Sequence, residues 1–179
     1  MPTKQEAVNQ IKQQIEEAIA IGGDNARTSL IRSQRLINHI HEAIKSELIA
    51  NGISQTLIFP NVDLRNEITI SGFLKNKKQD IVVIPSTLQN VPEPIINGYN
   101  KGNIDSFGQL KTERILSINV RSQLSSLSKN VDTLFERTFA EPLNLHLRCP
   151  EMCLGEIYLI PTHEYNPNQT PVSIEKYLN

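Results

Sequence analysis

Four consecutive apolar residues, Ile81-Val82-Val83-Ile84, closed by Pro85, constrain this chain more than any other stretch. A β-branched run of that length reads as a strand buried on both faces, in the middle of a sheet rather than at its rim. The approach to it is cationic: Lys75, Lys77 and Lys78 lead into Gln79 and Asp80. Asp80 therefore stands where a wet hairpin passes into a dry sheet. A carboxylate there either caps the strand end or serves as an oxygen ligand for a hard cation.

A central strand needs neighbours, and the chain offers them in order. Thr56–Pro60 and Asn66–Ile70 are short strand candidates separated by a turn-rich NVDLR. Ser71–Lys78 makes a hairpin into the Asp80 strand. Arg114–Gln123 alternates Ile115, Ser117, Asn119, Arg121 and Gln123 with Leu116, Ile118, Val120 and Leu124, which predicts two chemically different faces. Cys153–Pro161 is another buried strand. Between the second and third groups, Ser86–Lys111 holds Pro92, Pro94, Gly98, Gly102 and Gly108 and no sustained periodicity. A loop of that length inside one domain is expected to be functional or disordered.

Helices bracket the strands. Thr3-x-x-Glu6 has the form of a capping box, and Val8, Ile11, Ile15, Ala18 and Ile19 repeat at helical spacing until Gly22-Gly23. A second helix is expected from Thr28 to Asn51 with Gly52 at its end, carrying the stripe Ile37, Ile40, Ile44 and Leu48. Glu47 falls close to that stripe, either at its edge or aimed into a site. Asn130 is placed to cap a third helix to about Arg148, with Leu134, Phe135, Thr138, Phe139 and Leu145 on its apolar faces and a kink at Pro142. Proline and asparagine mark residues 163–179 as a tail.

The size, 179 residues and 20.2 kDa, fits one domain with a helical extension. Formal charge is −1, so any nucleic-acid surface must be a local patch. Lys75, Lys77, Lys78, Lys101, Lys111 and Lys129, with Ser125, Ser126 and Asn130, are the candidates for it. Arg137 and Glu141, four apart, read as a surface ion pair, and Glu156 as a strand acid facing solvent or pairing with arginine in preference to a further site residue. No apolar run is long enough for a membrane span, and the N-terminal residues lack a signal peptide's apolar region, so a cytoplasmic protein is expected. Cys149 and Cys153 form a lone C-x3-C, and zinc wants four ligands. Only the scattered His39, His41, His146 and His163 remain to complete such a site, so reduced thiols are the expectation.

The order helix, strand, strand, strand, helix, strand, with Asp80 opening a central strand and a polar-faced strand after it, resembles the core of the PD-(D/E)XK nucleases. SINVRSQLSS followed by KNVDTLFERTFAEPLNLHLRCP is also similar to type II restriction endonuclease sequence. The resemblance covers roughly residues 35–161. It implies an α/β fold: a restriction-endonuclease-like αβββαβ core, its mixed central sheet flanked by helices, with an N-terminal helical extension. The segments are then residues 1–27 for the extension, 28–161 for the core and 162–179 for the tail.

The resemblance implies a function as well, site-specific hydrolysis of double-stranded DNA with magnesium. Asp80 matches the family's aspartate, and Asn119-Val120-Arg121 stands where the family carries (D/E)-x-K. Glu47 or Glu67 matches the acid contributed from outside these strands. Magnesium would then take Asp80, Asn119 and Glu47. Arg121 would clamp the scissile phosphate and Gln123 orient the attacking water. Arginine cannot act as a base, and a literal (D/E)-x-K occurs nowhere in the chain. The alternative is a catalytically degenerate member that binds DNA or a partner. Cutting both strands at one site implies a homodimer, for which Val8, Ile11, Ile15 and Ile19 offer one apolar face.

Overall fold

Thr3 opens the first helix with a reciprocal cap: its hydroxyl accepts from Glu6 N–H at 3.2 Å, and its own N–H donates to Glu6 Oε2 at 2.7 Å. The glycine pair breaks this stretch, α1 (Lys4–Arg32), into two helices across a kink, as the sequence led one to expect. Gly22 (φ −143°) and Gly23 (φ 61°) leave helical geometry for two residues, and the helix then resumes with Asp24 and Arg27 ion-paired at 2.6 Å. Its end comes at Ser33, and Gln34 at φ 61° turns the chain into α2 (Arg35–Ala50). The second helix thus starts seven residues later than Thr28. Gly52, at φ 91°, takes the left-handed backbone that suits a residue just past a helix end. Leu36, Ile40, Ala43 and Ile44 are the buried apolar residues of α2, which packs against α1. Ile37 and Leu48 are only half-buried.

These observations come from a computed structural model, which describes residues 2–62, 64 and 66–162, apart from the side chains of Leu127 and Ser128. The expected tail, His163 as a zinc candidate, and Asp63 and Arg65 of the NVDLR turn lie outside the described residues. Two units divide the chain. Of the described residues, one holds 2–50, Val120–Leu134 and 157–162; the other holds those within 51–119 and Phe135–Glu156.

The sheet is four-stranded and mixed, in the order β1 (Ile58–Phe59), β4 (Ile81–Val83), β7 (Leu116–Ser122), β8 (Cys153–Leu159). Strand β4 is central, as its β-branched run demands, and antiparallel to both neighbours. Ile81 lies opposite Ile118, Val82 opposite Ser117 and Val83 opposite Leu116. Asn119 meets Glu156, and Gln123 N–H meets the Leu159 carbonyl at 3.0 Å. Matched positions rise together, so β8 runs parallel to β7, as a strand reached through a helical crossover should. That crossover is α4 (Leu127–His146). It begins three residues before Asn130, whose side chain instead donates back to the Ser126 carbonyl at 2.9 Å.

The lysine hairpin is a separate ribbon, β2 (Ile68–Ser71) paired with β3 (Asn76–Gln79). Ile70, Val82, Ile84 and Ile115 close a core with Leu145, Cys149 and Met152. Phe135 and Phe139, expected on an apolar face of α4, are exposed. Strand β7 departs from the two-faced expectation, because Ser117, Ile118, Asn119 and Val120 are all buried.

Residues 86–111 are built rather than loose. They form a two-stranded ribbon, β5 (Glu93–Pro94) with β6 (Ile104–Asp105), followed by the short α3 (Gln109–Thr112). Asp105 is held by Arg148 Nη2 at 2.5 Å and by the Thr112 hydroxyl at 3.1 Å, all three buried. Asn100 donates to the Gly72 carbonyl at 2.8 Å, tying the ribbon to the lysine hairpin.

Candidate functional site

The polar residues of interest lie at the entry to β4 and along β7 and β8. Gln79 and Ser117 are fully buried and joined by a hydrogen bond of 2.6 Å from the Ser117 hydroxyl to Gln79 Oε1. Asp80 is the bend between β3 and β4, one residue before Ile81, and Asn119 is one residue beyond Ile118, to which Ile81 is paired. Across the next strand boundary, Asn119 Nδ2 donates to Glu156 Oε1 at 3.1 Å. Asn119 and Glu156 are thus joined across β7 and β8, with Asp80 at the bend into β4, and these three make up the candidate row. Asn119 is 6% exposed, whereas Asp80 and Glu156 are half-buried, so the row lies at the margin between core and water.

Such a row carries two carboxylates and an amide oxygen, a hard donor set of the kind magnesium accepts. Among the described residues no three His, Cys, Asp or Glu side chains gather to hold one metal ion.

The hairpin lysines are positioned by α4. Asn144, 3% exposed, accepts from Leu74 N–H at 2.7 Å and Lys75 N–H at 3.1 Å, and donates to the Lys75 carbonyl at 3.1 Å. Lys77 pairs with Glu141 of α4. The bend Gly72–Lys75 is therefore clamped to the helix, leaving Lys75 and Lys78 exposed. Lys111 donates to Asn90 Oδ1 at 2.7 Å, and Lys101 is exposed.

The other candidates stand in other surroundings. Glu67 is exposed just ahead of β2. Glu47 is about half exposed on α2 and pairs with Lys4 at 3.4 Å. Arg121 and Gln123 are half-buried, and Gln123 Nε2 donates to the Ser125 carbonyl. Ser126 takes a positive φ of 55° at the turn into α4, with Lys129 exposed on its first turn. Asn144 is the residue that sequence reasoning passed over, and Glu156 one that it weighed for the site but set below a solvent-facing or arginine-paired acid. Glu156 was visible as an acid inside an apolar strand, but its amide partner lies 37 residues away. Asn144 gave no signal beyond being polar in a helix.

Cys149 and Cys153 are both free, Cys149 buried and Cys153 exposed. Burial pushes the Cys149 thiol up to about 11, against a smaller downward pull from Arg148. A thiol held neutral in this way is packing, not a nucleophile.

Comparison with known proteins adds no relative: no family model, curated protein or solved structure matches the chain. No helix among the described residues is long and apolar enough to cross a membrane.

Proposed function

We propose that the chain is a magnesium-dependent, site-specific endonuclease of double-stranded DNA, of the type II restriction kind, on a PD-(D/E)XK core. The observation that carries this reading is the placement of Asp80 one residue before Ile81 and of Asn119 one residue after Ile118, the pair that joins β4 to β7. The topology is in keeping with it. Strands β1, β4, β7 and β8 lie side by side in chain order, and α4 connects the last two.

In this reading Asp80 and Glu156 supply charge to the metal, and Asn119 supplies an amide oxygen. Glu156 thus takes the place that sequence reading gave to Glu47 or Glu67. Bound magnesium would neutralise the phosphate and lower the pKa of its water. Arg121, two residues along β7, is the fixed cation for the scissile phosphate, since a guanidinium stays protonated and binds phosphate bidentately. Lys75 and Lys78 on the clamped hairpin give the local positive surface that the net charge of −1 does not supply. The active form is a homodimer, one centre for each strand of the duplex.

The test is a digest of phage DNA with magnesium, manganese or EDTA. Discrete bands with a divalent cation, lost in Asp80→Ala while salt-sensitive DNA binding survives, support the proposal. Unchanged cutting by Asp80→Ala removes Asp80 from the site. The engagement of Asn119 by Glu156 favours one second reading, a nuclease fold that binds DNA without cutting. Binding with no cleavage under any metal decides for it, all the more if Asn119→Glu with Arg121→Lys gains cleavage.

A further inference from the structure

The outer face of α4 breaks the rule that a crossover helix turns its apolar stripe to the core. Leu145 is buried, yet Phe135, Phe139, Leu143 and Leu147 are 66%, 59%, 53% and 48% exposed. They follow one another at intervals of four, so they form a single ridge along the helix. Leu147 N–H still bonds to the Leu143 carbonyl at 3.0 Å, so the ridge keeps helical geometry to its end. Phe135 and Phe139 are already stacked edge to face, with centroids 4.9 Å apart. Isolated exposed apolar residues need no explanation, but a continuous ridge marks an interaction surface.

We propose that this ridge is a homodimer contact in which α4 pairs antiparallel with α4 of a second copy. The ridge is self-complementary under a twofold axis. With the axis level with Glu141, Phe135 meets Leu147 of the partner subunit, and Phe139 meets Leu143 of the partner subunit. The same operation sets Glu136 against His146 of the partner subunit, an acid against a base on the ridge's flank. Every contact then occurs twice, as a closed interface requires. His146 is oriented for the role, because its Nε2 lies 2.9 Å from the Met152 carbonyl and its other ring nitrogen is left for the partner. A parallel pairing would stack Glu136 on Glu136 and His146 on His146. This contact does not depend on the nuclease reading, and it replaces the α1 face as the expected dimer surface.

Sedimentation of the full chain at micromolar concentration should give twice the 20.2 kDa monomer mass. Phe139→Glu should weaken the dimer at least about thirtyfold, the cost of one central anchor residue. Its circular dichroism and melting should stay those of the parent, since the side chain is exposed. A cross-linking pair fixes the register. In a Cys153→Ser background, Phe139→Cys chains mixed with Leu143→Cys chains should couple to each other more than either couples to itself. A strict monomer overturns the proposal. So does a dimer that ignores Phe139→Glu, or one in which each cysteine prefers its own kind.

Discussion

Asn119 on β7 donates its side-chain amide to Glu156 on β8, at 3.1 Å and largely out of water. A buried amide bound to a carboxylate fixes both orientations, because the carboxylate only accepts and the amide nitrogen only donates.

The first prediction follows from that polarity. Glu156→Gln keeps an oxygen acceptor for Asn119 and removes one negative charge. The fold should persist, and magnesium-dependent cleavage should fall by about a hundredfold, as when a single charge contact in a transition state is lost. Asn119→Asp does the reverse and sets two carboxylates against each other. It should cost about 1–3 kcal/mol in EDTA, the range for a buried polar group left unsatisfied, and magnesium should restore much of that. Urea midpoints with and without the metal check it. An equal loss in both solutions would remove the metal from this row.

The second prediction concerns Arg148, which ends the α4 crossover. Its guanidinium donates to Asp105 at 2.5 Å and to the Ser71 carbonyl at 2.9 Å, with both ionic side chains under 5% exposed. Removing one member of a buried pair strands the other. Arg148→Leu should therefore cost about 3–5 kcal/mol, whereas replacing both residues with apolar ones should cost less. Chemical denaturation of the single and double variants reads this. A loss near zero for Arg148→Leu would mean that Asp105 is hydrated.

The third prediction tests how firmly residues 86–111 are held. Gly98 has φ 77°, and a Cβ there would collide with the Phe73 carbonyl oxygen, which accepts from Tyr99 N–H at 2.9 Å. Gly102 has φ 90° and open space around it. Both lose conformational ease as alanine, by about 1 kcal/mol. Gly98→Ala should lose about 1–3 kcal/mol more, because backbone must shift to admit it. Melting of the two variants separates clash from strain, and equal losses would show that the hairpin bend yields.

What could be read beforehand was local in origin. The Thr3–Glu6 cap, Gly52 and the central β-branched strand depend on residues a few positions apart, and each formed as expected. The glycine pair did stop the first helix, but another helical stretch follows at once across the kink, opening with the Asp24–Arg27 pair, where the sequence placed a start only near Thr28. The middle insert was opaque because strands of two residues carry no period. Its order comes from Asn100 reaching Gly72 and Arg148 reaching Asp105, 28 and 43 residues apart. Helical periodicity in α4 was correct, but it could not say which of two apolar stripes faces the core. Leu145 and the Phe135–Phe139 ridge look alike in sequence, and only packing separates them.

Cys149 gives the last prediction. It sits in the core with Leu145 and Met152, and burial raises its thiol from the ordinary 9.0 to about 11. The folded protein therefore holds this proton more tightly than the unfolded chain does. Its contribution to stability is complete below pH 9 and is lost progressively as the pH rises toward 11. Cys149→Ala removes that linkage, so the stability gap between parent and variant should narrow from pH 8.5 to pH 10.5, measured by urea denaturation under reducing conditions. Thiol reagent at about pH 8 should meanwhile label Cys153 in the folded protein, and Cys149 only after unfolding. Rapid labelling of both in the native state, or a gap that does not change with pH, would place Cys149 in contact with water.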